Sequence, residues 1–262
     1  MPTRLGSHSP RLAAAGALRT KGGRLEQGCF TAEGLTLLRE ALEAGCRPEG
    51  VYVTEAGLAV LGPLAASLAG RLFVVAPRDM QRLSDVESPP GVLAVYRAAL
   101  ASPEDVLGAG APALVLGGVA DPGNAGTLLR SADIFGFSAA IFDDGAVEPY
   151  NPKVVRATMG AIFRLRLAVG DAGALGGQGR RRGYALVVAD PSGSPLPEFI
   201  FPSKSLIVVG HERHGAGAWL EHADHVVAIP QHGVGQSLNA AVAGSIIMYA
   251  FSQQFGSRNV TP

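Results

Sequence analysis

Between residues 113 and 250, short apolar runs end again and again in glycine-bearing loops, and this pattern constrains the fold most. Residues 113–117, Ala-Leu-Val-Leu-Gly, are apolar without alternation, as a strand must be when both faces of a parallel sheet are covered. Similar runs follow at 139–142, 185–189 and 205–209, with helical stretches between them. The last repeat is the fullest. A short apolar strand from Val227 ends at Pro230 and leads into a loop with Gly233 and Gly235. Ser237 and Asn239 come next, and then small and apolar residues to Ala250 that predict a buried helix. A helix that begins in a glycine loop presents unpaired N–H groups and a positive dipole end to whatever sits there. Ser237 and Asn239 also suit the plainer role of N-cap. In open parallel sheets ligands bind beyond the carboxyl ends of the strands. Three such ends, 118–126, 210–215 and 231–239, combine glycines with polar side chains.

The first third of the chain is different. Residues 1–28 set Arg4, Arg11, Arg19, Lys21 and Arg24 against Glu26, which reads as a basic arm, either frayed or touching phosphates. Over 29–97, strands at 50–54, 72–76 and 92–96 alternate with helices at 32–44, 57–69 and 77–83, the pattern of a small α/β domain. Residues 98–111 collect Gly, Ala and Pro and read as a linker, leaving 112–262 as a second α/β domain.

Several function classes lose their key part. The chain carries 22 basic and 22 acidic residues, so net charge does not point to nucleic acid and any such contact is local. Cys29 and Cys46 are too few for a disulfide framework and lack metal-ligand spacing. No apolar run is long enough to span a bilayer and no signal-peptide pattern is present, so the expectation is a cytoplasmic protein without a membrane partner. The first strand–helix turn lacks the dinucleotide fingerprint, and no Walker loop with its lysine occurs. His211-Glu-Arg-His214 falls one residue short of the spacing that puts two imidazoles on one helical face, so no metal is expected. A Gly-x-Ser-x-Gly elbow is missing as well.

Taken together, the three loops match something specific. Asn124-Ala-Gly-Thr-Leu-Leu-Arg-Ser-Ala132, Leu206-Ile-Val-Val-Gly-His-Glu-Arg-His-Gly215 and Ile229-Pro-Gln-His-Gly-Val-Gly-Gln-Ser-Leu-Asn239 resemble, in order and spacing, the three signatures of the SpoU/TrmH family. These are S-adenosylmethionine-dependent RNA ribose 2′-O-methyltransferases of the SPOUT class. The likeness covers residues 113–252. Less sharply, Phe30-Thr-Ala-Glu-Gly34 and Leu83-Ser-Asp-Val-Glu-Ser-Pro-Pro-Gly-Val-Leu-Ala94 resemble the L30e-like substrate-binding domain of members that act on large-subunit ribosomal RNA. The resemblance implies a trefoil-knotted parallel-sheet domain, a homodimer with its sites at the subunit interface, and 23S ribosomal RNA rather than tRNA as substrate. It also implies a bent cofactor held by Ala189, Asp190, Val209, Gly210, Glu212, Ile229, Pro230, Gln231, Ser237, Leu238 and Asn239. The chain departs from the family at Gln231, where Met is usual, and at Ala240-Ala241, where Val-Ser is usual.

The implied reaction moves a methyl group from a sulfonium to a ribose oxygen, so the site must align oxygen, methyl and sulfur and deal with the hydroxyl proton. By resemblance Arg130 does this. Family descriptions call it the base, whereas the chemistry of guanidinium favours a phosphate clamp that positions the 2′-OH. Asn124 is expected to orient it, Glu212 to hold Arg130 or loop backbone, Ser237 to hold a phosphate or the arginine, and Asn239 to fix the loop around the cofactor. Arg164, Arg166 and Arg180–Arg182 are further phosphate contacts or a solvated face. The 2′-OH separates RNA from DNA, so no DNA partner is expected. Rival readings are a non-catalytic RNA-binding or assembly factor on the same fold, a nucleotide-dependent oxidoreductase, and a base methyltransferase.

Overall fold

The computed structural model describes residues 2–235 and 237–255. They fall into two compact units, one within Met1–Ala99 plus Tyr150–Phe163 and the other within Leu100–Pro149 plus Arg164–Pro262.

In the first unit the chain runs β1 (Thr3–Arg4), α1 (Pro10–Ala17), α2 (Lys21–Gln27), β2 (Cys29–Glu33), α3 (Leu35–Glu43), β3 (Gly50–Val53), α4 (Glu55–Leu61), α5 (Leu64–Ser67), β4 (Leu72–Val74), α6 (Pro77–Leu83) and β5 (Val92–Arg97). The five strands form one mixed sheet in the order β1-β4-β3-β5-β2. One face packs Leu12, Leu18, Tyr52, Phe73, Met80, Leu83 and Leu93 into a core. Residues 10–17 and 21–27, offered by the sequence only as a polar basic stretch, are therefore helical, and Leu12, Ala15 and Leu18 belong to this core. The apolar face of α1 is just Leu12 and Ala15, with Leu18 capping it, too short a run for periodicity to reveal. Arg24 is buried and donates from Nη1 to the carbonyl of Leu18 at 2.8 Å. The expected helix over 57–69 is broken in two, because Gly62 and Pro63 interrupt it.

A close approach explains one glycine here. A Cβ at Gly57 would sit 2.0 Å from the carbonyl oxygen of Gly91, a main-chain atom that cannot swing away. Gly57→Ala is expected to destabilise the protein by roughly 3 kcal/mol, the upper end of overpacking costs. Chemical denaturation checks this, and an unchanged midpoint would count against the packing.

The second unit holds β6 (Leu100–Ala101), α7 (Pro103–Gly108), β7 (Ala113–Gly117), α8 (Pro122–Ile134) and β8 (Ala139–Phe142). The chain then contributes α9 (Pro152–Ala157) to the first unit. It returns as β9 (Arg166–Val169), α10 (Ala172–Arg181), β10 (Ala185–Pro195), β11 (Ser205–Gly210), α11 (Ala218–Glu221), β12 (His225–Ala228) and α12 (Ala240–Phe255). All seven strands pair in parallel, in the order β12-β10-β11-β7-β8-β9-β6. Residues 113–116 at its centre are fully buried, as strands covered on both faces must be. This is the α/β parallel-sheet architecture expected for the C-terminal part.

Two stretches behave differently from their sequence reading. Within 98–111, β6 pairs with β9, Ser102 and Asp105 close a capping box on α7, and Val106 and Leu107 enter the second unit's core. Residues 150–163 join the first unit because their side chains bond there. The ring of Tyr150 stacks on Phe30 with centroids 4.5 Å apart, Phe163 lies 4.8 Å from Tyr96, and Arg156 reaches Asp85 at 3.4 Å.

Candidate active site

The strand order decides which loops meet. Because β12, β10, β11 and β7 are neighbours, the chain leaving their carboxyl ends gathers in one place.

After β7, Asp121 caps α8, its Oδ1 accepting the N–H of Asn124 at 2.7 Å, and Pro122 occupies the first turn. The stretch 118–126, expected as a loop, is thus helical from Pro122 onward, and Asn124 lies in the helix's first turn. Asn124 Nδ2 donates to Glu212 Oε1, and Asn124 Oδ1 accepts from Asn239 Nδ2 at 2.9 Å. Asn239 Oδ1 in turn accepts the N–H groups of Ala241 at 2.9 Å and Val242 at 3.2 Å, so Asn239 is the N-cap of α12. The ends of this chain fix its polarity. A carboxylate only accepts and backbone N–H only donates, so both amides have one consistent orientation. Three loops from three strand ends are tied by one line of hydrogen bonds.

Beside it lies a cavity of about 250 Å³. Val209, Val227, Ile229 and Leu238 make its apolar wall with Ala240, Ala243 and Ile247 of α12, and Asp190, Glu212, Gln231 and Ser237 supply polar groups. Of the residues expected to hold the cofactor, Ala189, Asp190, Val209, Gly210, Glu212, Ile229, Gln231, Ser237 and Leu238 line the cavity. Pro230 and Asn239 do not, and Asn239 stands one step behind, anchoring Asn124 and α12. Asp190 is held by its own turn, Oδ1 accepting from the Ser192 N–H at 3.0 Å and hydroxyl at 2.7 Å. The 211–215 loop closes on itself through two backbone bonds of 2.9 Å between His211 and Gly215.

The sequence reading missed Pro191, His211, Gly215, Val227, Ala240, Ala243 and Ile247 as wall residues. A signal existed for the last three: their spacing places them on one face of a helix. Glu212, expected to hold Arg130 or loop backbone, holds Asn124 instead. Arg130 itself is exposed, is not part of the cavity wall, and makes no hydrogen bond or ion pair among the described residues. It shares a face of α8 with exposed Ile134, one turn on. Val242, Ile246 and Tyr249 form an exposed apolar stripe on α12, which packs against α8. Arg164 pairs with Asp133 at 2.7 Å, Arg180 with Asp224 at 2.7 Å, and Arg182 donates to the Glu104 carbonyl at 2.8 Å. These three arginines are engaged within the protein. No three His, Cys, Asp or Glu side chains among the described residues are grouped to hold a metal ion.

Comparison with known proteins agrees with this geometry. The SpoU rRNA Methylase family model matches residues 111–249, and the MRM3-like substrate binding domain model matches residues 10–94. A 23S rRNA (guanosine(2553)-2′-O)-methyltransferase of Bacillus subtilis is 28% identical over 235 residues, 88% of this chain and 92% of that protein. A 23S rRNA (uridine(2479)-2′-O)-methyltransferase of Streptomyces viridochromogenes is 33% identical over 205 residues, 72% of this chain and 70% of that protein. The AdoMet-bound rRNA methyltransferase from Sinorhizobium meliloti has a similar structure, with a TM-score of 0.85 at 26% identity over 97% of this chain and 99% of that one.

Proposed function

Because the chain belongs to the SpoU rRNA methylase family, we propose that the cavity beside β10, β11 and β12 is its cofactor site and that the hydrogen-bonded line Glu212–Asn124–Asn239 frames the methyl transfer. The protein is an S-adenosylmethionine-dependent RNA ribose 2′-O-methyltransferase, and its substrate is 23S ribosomal RNA, as for the Bacillus and Streptomyces relatives.

The residues suit the cofactor. An apolar slot of Val209, Ile229, Leu238 and Ala243 accepts a flat adenine, while Asp190 and Glu212 place carboxylates where hydroxyls and positive charge need acceptors. When bound, S-adenosylmethionine supplies an electrophilic methyl on a positively charged sulfur. Everything else falls to the chain. Asn124, held at both ends, keeps the 118–126 and 210–215 loops in register with α12. Ser237 offers a hydroxyl to a substrate phosphate. Arg130 clamps the phosphate beside the target ribose and positions its 2′-OH.

Arg130 does this for the site of a second copy. Two observations support a homodimer built on α8 and α12: Arg130 lies off its own cavity wall, and the stripe of Ile134, Val242, Ile246 and Tyr249 is apolar and exposed. The first unit, matching a substrate-binding domain, holds the RNA, and its basic N-terminal residues supply phosphate contacts. Residues 112–255 carry the trefoil knot that the resemblance implies. With ribosomal RNA as the substrate, the compartment this reading implies is the cytoplasm.

The observation that carries this reading is the single line of hydrogen bonds joining all three loops at one cavity. Its test is transfer of labelled methyl from S-adenosylmethionine to ribosomal RNA, followed by digestion to nucleosides. A 2′-O-methyl nucleoside is expected; a methylated base, or no transfer, would sink the assignment. Asn124→Ala, which cuts the line in the middle, is expected to lower turnover at least about tenfold, or roughly 1.4 kcal/mol of barrier. Unchanged kinetics would reduce Asn124 to a packing residue.

A further inference from the structure

The first unit contains a second cavity, of about 480 Å³, between the segment that enters α1 and helix α6. Leu12, Gly16 and Leu83 give it apolar walls, and Ser7 and Asp79 line it with polar groups. The Asp79 side chain is only 3% exposed, yet it accepts one hydrogen bond, from the Ser7 hydroxyl at 2.8 Å. Arg82 forms an ion pair with Asp79 Oδ1 at 3.7 Å, too long to be a hydrogen bond. An ionised carboxylate accepts about four such bonds, and holding one out of water with so few is costly. Around the rim the charge is of the other sign. Arg19, Arg78 and Arg82 are exposed on the turn after α1 and on α6, with Arg78 bonded to Ser7 at 2.9 Å and Arg19 to the carbonyl of Arg82 at 3.4 Å.

We propose that this cavity binds a guanine base of single-stranded RNA, with Asp79 accepting from the base and the rim arginines holding the flanking phosphates. The inference rests on the reading that RNA is the substrate and adds where on the first unit it is gripped. An acceptor-only group needs a partner that offers N–H. Guanine alone among the RNA bases offers two adjacent N–H donors, at N1 and N2, on its Watson–Crick edge; the others set an acceptor beside any donor, and that acceptor would face the carboxylate. Apolar walls suit the faces of a flat base, and reading of splayed-out bases by their edges is the usual way single-stranded RNA is recognised. Cations at the rim suit a nucleotide within a strand, whose phosphates continue on both sides.

The test uses the full chain and fluorescent pentamers r(UUGUU), r(UUIUU) with inosine, and r(UUAUU), followed by anisotropy. Inosine removes only the N2 donors. The guanosine pentamer is expected to bind at least about tenfold more tightly than either of the others, the scale of one base discrimination. Asp79→Asn, which keeps the shape and the Ser7 contact, is expected to erase the preference. Gly16→Leu, whose Cβ would make only ordinary contacts with Leu83 at 3.9 Å and the Arg82 carbonyl at 4.0 Å, puts a larger side chain on the cavity wall and is expected to weaken the guanosine pentamer by a similar factor. Equal affinity for guanosine and inosine, or a preference that survives both variants, overturns the proposal. GTP alone binding more tightly than r(UUGUU) overturns its assignment to RNA. S-adenosylmethionine binding and methyl transfer to ribosomal RNA, measured in parallel, report on the other unit. Loss of guanine preference with transfer intact rejects this pocket alone, and preference without transfer rejects the enzyme reading alone.

Discussion

Arg130→Ala is expected to lower methyl transfer to ribosomal RNA by about a thousandfold or more, roughly 4 kcal/mol of barrier, while S-adenosylmethionine binds as before. The separation follows from geometry. Arg130 contributes nothing to the cavity wall and has no partner among the described residues whose loss would disturb the fold. Its positive charge is of use only to something from outside the chain, and a substrate phosphate is the natural candidate. The proposed dimer adds a sharper form of the test. Ala243 lies on the cavity wall, so Ala243→Phe blocks the site without touching Arg130. Each variant alone is expected to be inactive, and co-expression of the two chains to restore transfer, because in the proposed dimer a mixed pair has one open cavity facing one intact arginine. Full activity of Arg130→Ala on ribosomal RNA would remove the arginine from the mechanism. Failure of the mixed pair to recover would return Arg130 to its own chain's site.

Gly210→Ala is expected to cut S-adenosylmethionine affinity by about a hundredfold, or some 2.7 kcal/mol. Gly210 ends β11, opposite Gly117 of β7, and the chain immediately turns back on itself. A Cβ there would lie 2.5 Å from the backbone nitrogen of Ala216 and 2.5 Å from the carbonyl carbon of Gly215. Neither atom can retreat while His211 and Gly215 keep their paired bonds, so the loop must open, and it carries Glu212 and His211 of the wall. Calorimetric titration reads the affinity. Wild-type binding would mean that the 210–215 loop does not shape the site.

The difference between these two positions also separates what could be read from residues from what could not. Residues 113–117 announce a doubly covered strand, because burial on both faces writes itself directly into an unbroken apolar run; the same signal at 240–250 does mark a helix, but one buried only along Ala240, Ala241, Gly244, Ile247 and Met248, with Val242, Ile246 and Tyr249 exposed. The three glycine-and-polar loops are local patterns, so their membership of a family and most of the cavity wall could be named from the chain alone. Elements whose signal is weak locally escaped. The α1 face rests on few apolar side chains, and the start of α8 hid behind Asp121-Pro122, a cap and first-turn proline that glycine and asparagine made look like loop.

Partners across the chain are another matter. Nothing at position 212 says that its carboxylate meets Asn124, 88 residues earlier, rather than Arg130. That follows from β7 lying beside β11, with β10 and β12 beyond, an order set by how the crossovers pack. Residues 150–163 likewise join the first unit through Phe30, Tyr96 and Asp85, side chains far away in the chain. Residue type and local spacing settle which elements form and which loops bear chemistry, since those depend on neighbours a few residues away. Which loops meet, and which side chain answers which, is a matter of long-range packing, and there the same residues are compatible with more than one answer until the sheet is assembled.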